Sequence, residues 1–291
     1  MSRLSAERSR EPIGLLAGSG RFPLLFAEKA RALGIPVVCV GIRHEAPPEL
    51  AQHVERFYWS GIARLNRMIR CFRREGVKRI VMAGKIHKHR FLYAPWRTLQ
   101  LLPDVRTAWL WLKRMIRKTK NRDDDLLLAV IDEFRKDGMD FDSALSICPE
   151  LLVQPGVLTR RRPSRAEEAD IAFGWGLAKE MGRLDVGQSV AVKERAVLAV
   201  EAIEGTDRAI RRAGELCPSG GFTVVKVAKP QQDMRFDVPT IGPATIESMV
   251  AAGARVLAIE ACKTIVIDQE ETVALADRHG LTITAVNLPS C

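Results

Sequence analysis

The chain has 291 residues, of which 47% are hydrophobic and 27% charged, and its formal net charge is +10. That length and apolar content support a sizeable core and predict two domains, while no apolar run reaches the roughly 18–20 residues of a membrane span and no secretory apolar region opens the chain, so a cytoplasmic location is expected. The cysteines Cys39, Cys71, Cys148, Cys217, Cys262 and Cys291 form no CxxC pair, which argues against a zinc site or a disulfide framework, and the positive charge favours anionic partners.

A buried strand is predicted over residues 13–17, running through Gly18-Ser19-Gly20 into a helix over 24–33 that Gly34 ends. Strands over 37–40 and 79–83 flank a helix over 65–75, giving a βαβαβ rhythm and hence a small parallel sheet with ligands at the carboxyl ends of its strands. An irregular arm and a basic helix occupy 95–120, and a further helix covers 126–137. Periodicity breaks over 146–165, where Pro149, Pro155, Gly156 and Pro163 accompany Arg160-Arg161-Arg162. This divides the chain into an N-terminal domain over 12–148, a linker over 149–165 and a C-terminal domain over 166–288. The second half predicts helices over 166–181, 206–216 and 269–278 and from 245, with strands over 189–192, 197–202, 222–227, 256–259 and 281–286. The fold class is α/β, and the strand order of the second half stays open.

The strand-to-helix turn Gly18-Ser19-Gly20 exposes backbone N–H groups beside a positive helix end, which suits a phosphate. The third glycine of a dinucleotide fingerprint is replaced by Pro23 and no P-loop lysine follows, so a plain tight turn explains it equally well. Lys85, after Gly84, is either a phosphate ligand or a solvated turn lysine. Asp123-Asp124-Asp125 is explained by capping of the following helix, while three adjacent carboxylates also suit a ribose hydroxyl or magnesium. Between Lys85 and Arg122 stand eleven Lys or Arg and a single acid, Asp104, interleaved with Phe91, Tyr93, Trp96, Trp109 and Trp111. Such a segment suits an anionic membrane surface, a lipid chain, nucleic acid or a solvated basic helix, with membrane contact ahead of nucleic acid because no nucleic-acid motif accompanies the charge.

Acids, hydroxyls and glycines crowd the second half at Gly205-Thr206-Asp207 and from Gln232 to Gly242. Gly205 permits close backbone approach, Thr206 caps the helix or offers a hydroxyl, and the following N–H groups face an anion. Capping alone leaves Glu201 and Glu204 without a reason. In the second segment Asp233 and Asp237 supply hard oxygens for magnesium, and Lys229 or Arg235 offsets charge on phosphoryl oxygens; a surface turn with an internal Asp–Arg pair is the plainer account.

Taken in order, Ile13 to Gly20 with Pro23, Ala83-Gly84-Lys85, the acids from Asp123, Leu184 to Ser189, Ala199 to Asp207 and Lys229 to Thr245 resemble the UDP-2,3-diacylglucosamine pyrophosphatases of the LpxI type. The resemblance implies magnesium-dependent hydrolysis of a lipid-linked nucleotide sugar to UMP and 2,3-diacylglucosamine 1-phosphate, a step of lipid A synthesis. It also implies a Rossmann-like N-terminal domain, a distinct C-terminal catalytic domain with a ligand held between the two, and a homodimer, while transient contact with the inner-membrane surface is expected from the basic, aromatic segment between Lys85 and Arg122. Carried onto this chain, the essential aspartate falls on Asp237, with Gln188, Thr206 and Asp207 at matching ligand-side positions and Gly18, Gly20, Gly84 and Asp123 matching the first domain's contributions. From the residues themselves, Asp207 and Asp233 are expected to assist Asp237 at the metal, and Ser19, Lys85, Gly205, Lys229 and Arg235 to meet the substrate. Arg122 stands where the family pattern has glycine. Two rival readings remain: a nicotinamide-dependent oxidoreductase using the Gly18 loop, and a basic nucleic-acid-binding module using Lys85 to Arg122, whose affinity would fall steeply with salt.

Overall fold

The computed structural model describes residues 11–86, 102–116, 123–235 and 238–288, and divides into two units, Met1–Cys148 and Pro149–Cys291. In the first unit the apolar run of strand β1 (Ile13–Ala17) is buried almost throughout. Helix α1 (Phe22–Ala32) starts on Pro23, whose fixed φ suits a first turn, and ends at Gly34 in the left-handed region (φ 68°). Strands β2 (Val37–Ile42) and β3 (Arg56–Ser60) follow. Helix α2 (Leu65–Arg74) buries Leu65, Met68, Ile69 and Phe72 at helical spacing and turns Arg67, Arg70, Arg73 and Arg74 away from them. Strand β4 (Arg79–Ala83), helices α3 (Val105–Ile116) and α4 (Asp123–Arg135) and strand β5 (Asp140–Asp142) complete the unit.

These five strands are all parallel, in the order β3-β2-β1-β4-β5. β1 is therefore the point from which the chain winds outward in both directions, and the crevice between the carboxyl ends of β1 and β4 is where such sheets take ligands. Sequence periodicity predicted neither β3 nor β5. Both are edge strands with mixed exposure, so neither carries the continuous apolar run that marks β1, β2 and β4.

The second unit opens with strand β6 (Gly156–Val157) and helix α5 (Arg165–Arg183). A reciprocal capping box starts α5: Ser164 Oγ accepts from the Glu167 amide and Glu167 Oε2 accepts from the Ser164 amide. Strands β7 (Ser189–Lys193) and β8 (Ala196–Val200) form a hairpin, followed by helix α6 (Thr206–Leu216) and strand β9 (Thr223–Lys226). The rest is strand β10 (Thr240–Ile241), helix α7 (Pro243–Ala252), strands β11 (Val256–Glu260) and β12 (Ile265–Val266), helix α8 (Gln269–Arg278) and strand β13 (Thr282–Val286).

Six of these strands make one mixed sheet, ordered β6-β13-β11-β9-β7-β8, and β10 pairs with β12 apart from it. β9, β11 and β13 run parallel; β6, β7 and β8 pair antiparallel with their neighbours. Residues 149–165 are thus partly built into this unit, because β6 pairs with β13. One face carries Ala191, Val224, Leu257 and Ile259 against Ile210 and Ala213 of α6 and Ile246 and Met249 of α7. The other carries Val190, Val192, Val225 and Ala258 against Ile171, Trp175 and Ala178 of α5. Alternation along the strands, interrupted by a bulge in β8 opposite Ala191 and Val192, puts successive side chains on opposite faces and sorts the polar residues at the strand ends in the same way.

Candidate active site

In the first unit the loops after β1 and β4 are knitted into one another. The Ser19 amide donates to the Lys85 carbonyl (2.8 Å), the Lys85 amide donates to the Ser19 carbonyl (2.9 Å), and Ser19 Oγ also donates to the Lys85 carbonyl (2.8 Å). A Cβ on Gly18 would stand 2.5 Å from that carbonyl oxygen, and one on Gly84, at φ 93°, would stand 2.7 Å from the Ser19 oxygen. These two glycines are required by the contact between the loops. The same contact sets Gly20 and the exposed Lys85 at the β1/β4 crevice, beside the N-terminus of α1, which no side chain caps and no acid neutralises. Asp123 is the first residue of α4.

The second unit gathers more. At one edge of its sheet lie the start of β7 and the carboxyl ends of β8, β9 and β11. Ser189 pairs with Lys226 in register, and its carbonyl accepts from the Glu201 amide (2.9 Å), so Ser189, Glu201 and Lys226 are lateral neighbours. Gly187 makes the approach possible: a Cβ there would come within 1.9 Å of the Glu201 carbonyl oxygen. Gly205 (φ 85°) then turns the chain into α6. Lys226 Nζ donates to Thr206 Oγ1 (3.0 Å) and to the Thr240 carbonyl (3.0 Å), and Thr206 Oγ1 donates to Glu201 Oε1 (3.0 Å). Lys226 and Glu201 are 3% and 8% exposed.

Two buried polar atoms at this corner, Ser189 Oγ and Glu201 Oε2, have no hydrogen-bond partner among the described residues, and neither do Gln188 Oε1, which alternation turns to the opposite face, and Gln232 Nε2 in the segment after β9. Buried groups of this kind are rare, because each forfeits its hydration, and a cluster of them marks a place that a ligand can satisfy. On the opposite face Lys179 Nζ donates to Glu260 Oε2 (2.6 Å) and to the Ala228 carbonyl (3.0 Å), while the Ala228 amide donates to the same Glu260 oxygen (2.7 Å).

Of the residues singled out from sequence, Gly205, Thr206 and Asp207 stand at this corner, with Asp207 in the first turn of α6, and Gln188 directly precedes β7, its carbonyl accepting from the Val227 amide. Glu204 is engaged locally, since it accepts from the Ala202 amide and from Arg212. Although burial would raise its carboxyl, its own amide and Arg212 hold it below the usual range. Lys229 is engaged by Asp185 (2.6 Å). Asp233 accepts from the Arg235 guanidinium at 2.9 and 3.0 Å, and this hydrogen bonding, first among the causes, lowers its carboxyl pKa. The internal Asp–Arg pair anticipated for this turn is therefore present. Asp237 lies outside the described residues, as do Phe91, Tyr93 and Trp96. Among the described residues no three His, Cys, Asp or Glu side chains converge to hold a metal ion. Lys179, Lys226 and Glu260 escaped the sequence reading, and the signal available for two of them was a charge closing an apolar strand: Lys226 after Thr-Val-Val and Glu260 after Leu-Ala-Ile.

Residues 12–151 match the LpxI N-terminal domain and residues 154–284 the LpxI C-terminal domain. The chain belongs to the LpxI family. Within that family it is similar to the UDP-2,3-diacylglucosamine pyrophosphatase LpxI of Caulobacter vibrioides (strain ATCC 19089 / CIP 103742 / CB 15), with 33% identity over 282 residues, covering 94% of this chain and 97% of that protein. The N-terminal match ends at 151 and the C-terminal match begins at 154, close to the division between the structural units at Cys148 and Pro149, and each sheet edge described above falls inside one of them.

Proposed function

We propose that this chain hydrolyses the diphosphate bridge of UDP-2,3-diacylglucosamine, releasing UMP and 2,3-diacylglucosamine 1-phosphate for lipid A synthesis. The observation that carries this reading is the full-length similarity to the Caulobacter pyrophosphatase, with neither domain left unmatched. The unpartnered Ser189 Oγ and Glu201 Oε2 at the sheet edge support placing part of the substrate there. The backbone N–H groups that open α6 suit a phosphate, since Gly205 leaves its N-terminus uncovered by any side-chain cap. Gln188 and Thr206 orient the rest of the nucleotide sugar, and Gly18, Ser19, Gly20, Gly84, Lys85 and Asp123 serve in the first unit.

Asp237 is the carboxylate on which turnover depends in this proposal, with Asp207 beside the opening of α6 as its assistant. Magnesium belongs to the proposal through the resemblance of the motifs. It is commonly held by one or two carboxylates with water and substrate phosphate, and when bound it lowers the pKa of water and offsets phosphoryl charge. Asp233, the third carboxylate proposed, must give up Arg235 to serve. Among the described residues no helix is long and apolar enough to cross a membrane. Trp109, Trp111 and Leu112 of α3 are 55%, 44% and 46% exposed, which supports transient contact of this helix with the cytoplasmic face of the inner membrane. A homodimer completes the proposal.

Incubation with UDP-2,3-diacylglucosamine and magnesium, followed by mass spectrometry, tests it: UMP appears, EDTA stops its release, and Asp237→Ala abolishes turnover with folding intact. Near-normal turnover by Asp237→Ala removes that residue from the mechanism. Indifference to chelator favours a nicotinamide enzyme over a metal-dependent hydrolase.

A further inference from the structure

The hydroxyl of Thr206 has little hydrogen-bonding capacity left. A threonine oxygen carries one proton and two lone pairs, whereas an ammonium group only donates. Lys226 Nζ therefore donates into one lone pair (3.0 Å), and the Thr206 proton is directed at Glu201 Oε1 (3.0 Å). What remains is a single lone pair on a half-buried residue. Glu201 supplies a second, independent observation: the residue is 8% exposed and its other oxygen, Oε2, has no hydrogen-bond partner among the described residues. Thr206 and Glu201 thus present acceptors at this corner, and the backbone N–H groups of the α6 N-terminus are donors beside them.

We propose that the Thr206 side chain accepts a hydrogen bond from a hydroxyl of the nucleotide sugar, on the ribose or on the glucosamine, and that Glu201 and Lys226 are positioning residues that hold its proton away from the diphosphate. The inference rests on the substrate class proposed above and deepens it. Phosphate oxygens are acceptors and cannot satisfy a lone pair, so the diphosphate is left to the backbone N–H groups. Lys226 also ties the Thr240 carbonyl, so the same ammonium fixes the strand that follows the Asp233 segment.

Two measurements decide it. Binding of UMP and of 2,3-diacylglucosamine 1-phosphate is compared with that of their analogues lacking the ribose 2′,3′ or the sugar 4,6 hydroxyls. Thr206→Val weakens the half that Thr206 reads by about tenfold, the worth of one hydrogen bond, and leaves the corresponding deoxy analogue unaffected. Thr206→Ser restores binding, and Glu201→Gln raises KM with little change in kcat. Equal weakening of natural and deoxy ligands puts the hydroxyl on phosphate and overturns the assignment. In the second measurement, the melting-temperature losses of Glu201→Gln and Lys226→Met are non-additive in the parent chain and additive in a Thr206→Val background. Additivity in both backgrounds refutes the relay. A chain that binds neither half loses the hydroxyl contact together with the proposed function, while the melting experiment still decides the relay by itself.

Discussion

Lys179 and Glu260 stand 2.6 Å apart as a buried ion pair, their side chains only 9% and 4% exposed, between helix α5 and the end of strand β11. Each charge gave up its hydration, and the pair is viable because Glu260 also accepts from the Ala228 amide and from Lys263 (3.0 Å), while Lys179 also donates to the Ala228 carbonyl and lies 5.4 Å from the centre of the Trp175 ring. Removing Lys179 leaves the buried Glu260 carboxylate with the Ala228 amide and the half-exposed Lys263 against it. Lys179→Met is expected to cost about 3–5 kcal/mol in urea unfolding, and the double variant Lys179→Met/Glu260→Leu to recover part of that loss. A cost below about 1 kcal/mol for the single change would show that the site rehydrates freely.

The same pair predicts an acid limb of stability. Burial pushes the Glu260 carboxyl up, but hydrogen bonds from Lys179, Lys263 and the Ala228 amide, with the Lys179 charge, outweigh it and hold the group below its ordinary 4.5. A depressed folded pKa means that stability is complete above the unfolded value and is lost as pH falls through the folded one. Urea midpoints are expected to drop from about pH 4.5 downward, and Glu260→Gln to flatten that part of the profile.

The β7–β8 hairpin turns on Glu194 and Arg195, both in the left-handed region at φ 51° and 59° without a glycine. Asp170, from α5, offsets the strain by accepting from both amides, at 3.0 and 2.6 Å. Asp170→Ala should lose about 1–3 kcal/mol. The pair Glu194→Asn/Arg195→Gly should instead stabilise the hairpin, since Asn-Gly adopts this turn readily. Thermal melts of the two variants are expected to move in opposite directions.

Gly187 and Gly205 predict unequal damage. A Cβ at Gly187 strikes the Glu201 carbonyl oxygen at 1.9 Å, whereas one at Gly205 meets nothing within 4 Å. Gly205→Ala carries only the cost of its backbone angles, about 1–3 kcal/mol. Gly187→Ala must displace the start of β7 or the Glu201 turn, at a cost above about 3 kcal/mol with loss of activity. Equal melting temperatures for the two would contradict the close approach.

Arg235→Leu is expected to return the Asp233 carboxyl towards its ordinary value of 3.8, because hydrogen bonding from Arg235 is the principal cause of its depression. A carbon-13 NMR titration of the aspartate side chains reads this directly. No movement on substitution would mean that another group holds Asp233.

Much of the fold is legible without coordinates, because local patterns carry it. The bounds of α6 and α8 follow from apolar spacing and their start and stop residues, and β1, β4 and β11 from uninterrupted apolar runs. The glycine loop, Gly205 and Thr206 stand out because turns and close approaches restrict residue type. Edge strands β3 and β5 and the two-residue strands β6, β10 and β12 carry no such pattern, and neither does the order β6-β13-β11-β9-β7-β8. The polar centre was hidden for the same reason: Lys179 and Glu260 are 81 residues apart, and Lys226 and Thr206 are 20 apart. Sequence by itself determined the periodic elements, the family motifs and the crowding of acids and hydroxyls after β8. Tertiary structure alone decided which charges are partnered and which buried atoms are left unpaired, since those depend on strands meeting across long chain separations, where no local preference acts.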